Sequence, residues 1–119
     1  MMVAQRDVVL LRFPFSDLHG SKVRPALVLS NNSYNLKSED FIAVAITSNL
    51  KIRGHSIFLT NDDLEKGRLV VDSKIKSDKI FSANKKLVRI IIGKVNNAIH
   101  EKVVSSISEI ISLNPDSSV

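Results

Sequence analysis

The chain has 119 residues, 44% of them hydrophobic, and carries a net charge of +5 with a sequence pI near 9.7. That length predicts one domain (residues 1–113, with 114–119 as a frayed tail) and a composition that buries a core, which excludes a disordered chain. No cysteine is present, which excludes a disulfide framework, a thiolate nucleophile and a sulfur metal site, and no apolar run nears the ~20 residues that span a bilayer.

The segment Met1–Asp7 lacks the basic-then-apolar layout of a secretion signal, so a cytoplasmic protein is expected. The positive excess favours a polyanionic partner. It is spread along the chain and forms no basic tail, so any patch must be assembled by folding.

In chain order, Val8–Phe13 and Arg24–Ser30 are short, apolar and rich in β-branched residues, and a polar Gly-containing loop divides them. Both are predicted strands. Asn31–Asp40 reads as a polar loop, Phe41–Thr47 as a third strand and His55–Thr60 as a fourth. One short helical turn is predicted near 62–66, with Asp62 and Asp63 early and Gly67 as its stop. Leu69–Ile75, Lys79–Phe81 and Val88–Gly93 read as further short strands. From Asn96 the apolar residues Ile99, Val103, Ile107, Ile110 and Ile111 recur at three/four spacing, predicting one C-terminal helix near 97–112 capped by Asn96 or Asn97. Six to seven short strands followed by one helix predict a mainly β fold, a small bent antiparallel barrel with the helix packed on it.

Arg24 is the residue to watch. It precedes Pro25, which pushes its backbone toward extended angles and gives the side chain a fixed base. Its guanidinium is a permanent planar fork of donors suited to phosphate. If the second and third strands pair with Ser30 opposite Phe41, Arg24 falls opposite Thr47. One face then carries Arg24, Ala26, Val28 and Ser30 beside Thr47, Ala45 and Ala43, a small, partly polar set expected to floor a groove. Leu27 and Leu29 with Ile42, Val44 and Ile46 on the other face are expected core.

At these residues the chain resembles the MazF/PemK (Kid-like) toxins of type II toxin–antitoxin pairs. The matching pieces are Asp7-Val8-Val9, Phe13-Pro14-Phe15-Ser16-Asp17, Gly20-Ser21-Lys22-Val23-Arg24-Pro25 with Ala26–Ser30, and Ala45-Ile46-Thr47-Ser48. Weaker matches are Ser73, the Lys79-Ile80 region, Ile92-Gly93-Lys94 and the closing helix. The resemblance implies an SH3-like barrel, usually homodimeric, that cuts single-stranded RNA without metal or cofactor. It also implies a cognate acidic antitoxin that covers the RNA groove, and no membrane association.

By the resemblance Arg24 and Thr47 occupy the principal catalytic positions. Arg24 would stabilise the phosphorane and Thr47 would position the phosphate. An arginine is a poor base, so the base stays open, with His19 in the preceding loop as the local candidate. Implied RNA contacts are Phe15, Ser16, Ser21, Lys22, Ser48, Lys51, Arg53, Asp78 and Lys79. Each also has a plainer reading: Phe15 as a barrel plug rather than a base-stacking ring (Tyr34 is a second such ring), the lysines and Arg53 as solvated surface, the serines as ordinary loop residues. His55 and His100 read as structural, and three scattered histidines make no metal set. Two other functions share the fold: a CcdB-type gyrase poison, which cuts nothing itself, and an inactive barrel that binds RNA or antitoxin.

Overall fold

A computed structural model describes residues 2–13 and 22–115. The strands are β1 (Asp7–Phe13), β2 (Lys22–Val28), β3 (Asp40–Thr47), β4 (Ser56–Leu59), β5 (Leu64–Gly67), β6 (Ser73–Asn84) and β7 (Val88–Val95). Helix α1 (Asn32–Lys37) joins β2 to β3, and α2 (Asn97–Ile111) follows β7. The strands form one antiparallel sheet in the order β4-β6-β3-β2-β1-β7-β5.

That order dictates the shape. β4 and β5 are the two outer strands, yet only Thr60–Asp63 separates them along the chain. Six strand-to-strand steps place the edges of a flat sheet ~29 Å apart, whereas five extended residues reach only ~17 Å. The sheet must therefore curl until its edges approach, and it forms a half-barrel. Gly67 and Gly93 let β5 lie close on β7: a Cβ on Gly67, whose φ is +78°, would meet the Ile92 carbonyl oxygen at 2.0 Å.

Both faces of the curled sheet are covered. The interior core joins Val8, Leu27, Val44, Ile46, Leu59, Ile75 and Val95, and α2 closes it with Ile99 and Val103. The second core lies on the opposite face and contains Val9, Leu11, Ala26, Val28, Phe41, Ala43 and Val88. Asn96 caps α2 by accepting from the Ile99 N–H at 2.9 Å. The helix ends within one residue of expectation, but Ile110 and Ile111 stay exposed because they lie past the sheet-facing turns. Among the described residues, no helix is long and apolar enough to cross a membrane.

Three expectations are revised within this mainly β architecture. The segment read as a polar loop contains α1, because Asn31 caps it by accepting from the Tyr34 N–H and buried Asn35 bonds to Ser30. The helical turn near 62–66 is a shorter 3-10 turn, Asn61–Asp63, closed by a Thr60–Asp63 capping box and followed directly by β5. Of the strand read at 69–75 only Ser73–Ile75 is in the sheet, and it runs on through 79–81 as one bent β6, with Ser77–Lys79 bulging where its pairing with β3 shifts from Ile80–Val44 to Lys76–Ala45.

Candidate active site

Pro25 decides where the sheet opens. β2 pairs with β1 from Leu27 opposite Val8 to Lys22 opposite Phe13, but its ladder with β3 runs only over Ala26–Val28. Proline has no N–H to donate, so the second ladder stops beside it. The strands part there around a groove of about 340 Å³. Val23, Arg24 and Pro25 form one wall, Ile46, Thr47 and Ser48 the facing wall, and Leu69, Val70 and Val71 the far rim; Leu10, Ser73 and Ile92 complete it.

The β2–β3 register, Ala26 opposite Ala45 and Val28 opposite Ala43, is the expected one, and its continuation sets Arg24 across from Thr47. The expected floor is not. Ala26, Val28 and Ala43 are fully buried in the second core, where their small side chains admit Phe41 and Leu11. The groove lies instead at the mouth of the barrel interior, where Leu10, Pro25 and Ile46 line it together with Arg24 and Thr47.

Arg24 is exposed. Among the described residues the ion pairs join Arg6 to Glu65, Lys79 to Asp78 and Lys94 to Asp7, and no carboxylate pairs with Arg24. Arg24 lines the groove with no ionic partner among the described residues. Thr47 is half-buried, and its Oγ1 accepts from the Asn49 N–H at 3.1 Å. With that lone pair taken, the hydroxyl proton is left to donate to a ligand oxygen. The turn continues as Asn49 Oδ1 accepts from the Lys51 N–H at 3.1 Å, which holds the loop compact. An anion entering between Arg24 and Thr47 thus meets a guanidinium fork and a hydroxyl donor, over walls that are apolar apart from Ser48 and Ser73.

Ser48 stands at the groove lip, Lys22 beside Val23 at the start of β2, and Lys51 and Arg53 exposed on the loop after Thr47. Asp78 and Lys79 do not join them: they sit on the β6 bulge, 4.0 Å apart, outside the groove lining. Phe15, Ser16, His19 and Ser21 lie outside the described residues. Tyr34 is on α1 and His55 on the loop before β4, both away from the groove walls. His100 is on α2, where burial, then the Arg6 charge, lowers its pKa against a smaller opposing effect of Glu101. Among the described residues, no group of three His, Asp or Glu side chains is placed to hold a metal ion.

The far rim was missed in the sequence because Leu69–Val71 looks like strand. Asn61 holds it out of the sheet instead, accepting from the Leu69 N–H at 2.6 Å and donating to the Leu69 carbonyl at 3.3 Å. Val70 is consequently 97% exposed. The one local signal is an Asn placed just after the N-cap residue of a capping box.

Comparisons with known proteins agree with this architecture. The sequence profile of "PemK-like, MazF-like toxin of type II toxin-antitoxin system" matches residues 4–111. No curated protein sequence matches significantly. The fold is similar to a MazE–MazF crystal structure from Deinococcus radiodurans (TM-score 0.77, 21% identity, covering 96% of this chain and 100% of that one). It is also similar to a mycobacterial endoribonuclease in complex with its cognate antitoxin (TM-score 0.74, 20% identity, 95% and 98% covered). A third is Mycobacterium tuberculosis toxin MazF-mt6 (TM-score 0.71, 17% identity, 92% and 100% covered). With the profile spanning nearly the whole chain, the protein belongs to the PemK-like, MazF-like toxins of type II toxin–antitoxin systems.

Proposed function

We propose that the chain is a sequence-selective endoribonuclease that cleaves single-stranded mRNA in the Arg24–Thr47 groove without a metal ion. The observation that carries this reading is the unneutralised Arg24 fork across a groove from the Thr47 hydroxyl. A ribose 2′-oxygen attacks the adjacent phosphorus, the 2′-O–P bond forms and the P–O5′ bond breaks. The products are a 2′,3′-cyclic phosphate and a 5′-hydroxyl. Arg24 donates to the phosphoryl oxygens as charge accumulates on them, doing electrostatically what a bound cation does elsewhere. Thr47 donates a second hydrogen bond and fixes the phosphate for in-line attack.

The 2′-hydroxyl proton passes to a base, for which His19 is the candidate, and the leaving 5′-oxygen collects a proton in turn. Lys22, Lys51 and Arg53 hold the phosphates on either side, which gives register rather than sequence selection. Ser16, Ser21 and Ser48 add neutral donors, and Phe15 a face for a base. Asp78 and Lys79, set apart on the bulge, act only on the flanking strand. A single strand suits the groove because its bases splay away from the backbone. Arg24 in the groove, with Lys22, Lys51 and Arg53 exposed outside it, also suits an acidic segment of a cognate antitoxin in the cytoplasm, and a homodimer would set two such grooves side by side.

The test is to incubate the purified protein with a long single-stranded RNA in chelator and map the ends. Discrete cuts bearing 5′-hydroxyl termini, absent with Arg24→Ala and Thr47→Ala, are expected. Intact RNA from folded protein would overturn the reading and favour a non-cutting barrel; cutting that stops in chelator would overturn the metal-free chemistry.

A further inference from the structure

The loop that follows Thr47 is fastened from behind by one lysine. Lys74, on β6, is the cross-strand partner of both Thr47 on β3 and Phe58 on β4. Cross-strand partners share a face of the sheet, so Lys74 and Thr47 lie side by side with Cβ atoms ~5 Å apart. Lys74 does not line the groove. Its ammonium instead reaches over the Ser48–Gly54 loop and donates to the Ile52 carbonyl at 2.8 Å. From Ile52 the bonds run back to the hydroxyl: the Ile52 N–H donates to the Asn49 carbonyl at 3.3 Å, the Lys51 N–H to Asn49 Oδ1, and the Asn49 N–H to Thr47 Oγ1. Every link except the last ammonium contact is local to the loop.

We propose that Lys74 is a positioning residue: by anchoring Ile52 it holds the Asn49 N–H on Thr47 Oγ1, and so keeps the Thr47 proton aimed into the groove and the Lys51–Arg53 cations in register. This rests on the functional reading given above. A charge-assisted bond from a half-buried ammonium is stronger than the neutral turn bonds it secures, and a misplacement of about 1 Å at a reacting centre costs on the order of 100-fold in rate.

The test uses Lys74→Met, which keeps the stem and removes the donors, and Lys74→Arg, which restores a donor. Lys74→Met is expected to lower kcat for RNA cleavage at least ~10-fold with the salt dependence of RNA binding unchanged, because a residue that touches no phosphate adds nothing to that slope. Lys74→Arg is expected to recover most of the rate. In a Thr47→Ala background the Met substitution is expected to cost little more, since its effect is exerted through Thr47.

Amide hydrogen exchange reads the anchor without reference to cleavage: Lys51 and Ile52 lose protection in Lys74→Met while β1 and β7 keep theirs. Unchanged exchange in the folded variant overturns the anchor itself. Full activity in Lys74→Met overturns its catalytic consequence, as does a rate loss that comes with a shallower salt slope. A wild-type protein that leaves RNA intact removes the underlying functional reading, and the exchange result still decides the anchor.

Discussion

The two ends of β1 use cations in opposite ways. At its start, Asp7 is buried beside Lys94, its cross-strand partner on β7, at 3.2 Å. Asp7 Oδ2 also accepts from the Ala4 N–H, and the Lys94 ammonium donates again to the Gln5 carbonyl. Arg6, next in line, binds Glu65 and the Val95 carbonyl. Every charge there is met by protein. At the other end, beyond Leu11, Arg24 has no ion-paired carboxylate among the described residues, and Lys22 on β2 and Lys51 and Arg53 on the loop after Thr47 are exposed. A matched cation holds the fold together; an unmatched one beside a hydroxyl in a groove is free to hold something else.

The sharpest way to break this contrast is to remove one charge from each end. Arg24→Ala is expected to lower the cleavage rate ~10³-fold while the melting temperature stays within about 2 °C, because an exposed unpaired side chain contributes little stability. Should Arg24→Ala melt early, the groove cation is structural and the comparison fails. Asp7→Ala is expected to destabilise by about 3 kcal/mol, since it strands a mostly buried ammonium. That is on the order of 10 °C in melting temperature, with cleavage at 25 °C retained. Asp7→Asn keeps an acceptor for the Ala4 N–H and is expected to lose less.

A smaller effect comes from His100 on α2. Its pKa is lowered in the folded protein, by burial first and by the Arg6 charge second, so the unfolded chain binds the proton more readily. Stability therefore rises with pH through this window and falls as pH drops below about 6.5, levelling off once the folded pKa is passed. Melting curves from pH 7.5 to 5.5 should show this slope in the wild type and a flatter one in His100→Gln. The same slope in both would assign the acid sensitivity to other groups.

Much of the fold was legible because its signals are local. The β2–β3 register followed from side-chain alternation, and α2 from its spacing and Asn96. What escaped depends on partners distant in sequence. The Ala26–Val28 face looked like a groove floor because its residues are small, but smallness equally permits close packing, and only the curl of the sheet reveals that Phe41 and Leu11 lie over it. β6 looked like two strands because its bulge breaks the alternation that marks a strand. At the site, Arg24 and Thr47 were readable from a proline and a register, whereas the Val70 rim depends on an Asn61 clasp and Lys74 on a contact reaching back to Ile52. Neither leaves a periodic trace.

The short link between the two edge strands also bears on timing. The groove draws its lining from Leu10 through Ile92, and β1 is flanked by β2 on one side and by β7 on the other. A ribosome therefore releases Arg24 and Thr47 long before Ile92, the last residue of the groove lining, has been made. Until β7 docks, the emerging chain carries both residues without the complete groove around them, and folding waits on the slow closure of distant strands. If the groove is the site proposed above, a chain still short of β7 is expected to carry no activity.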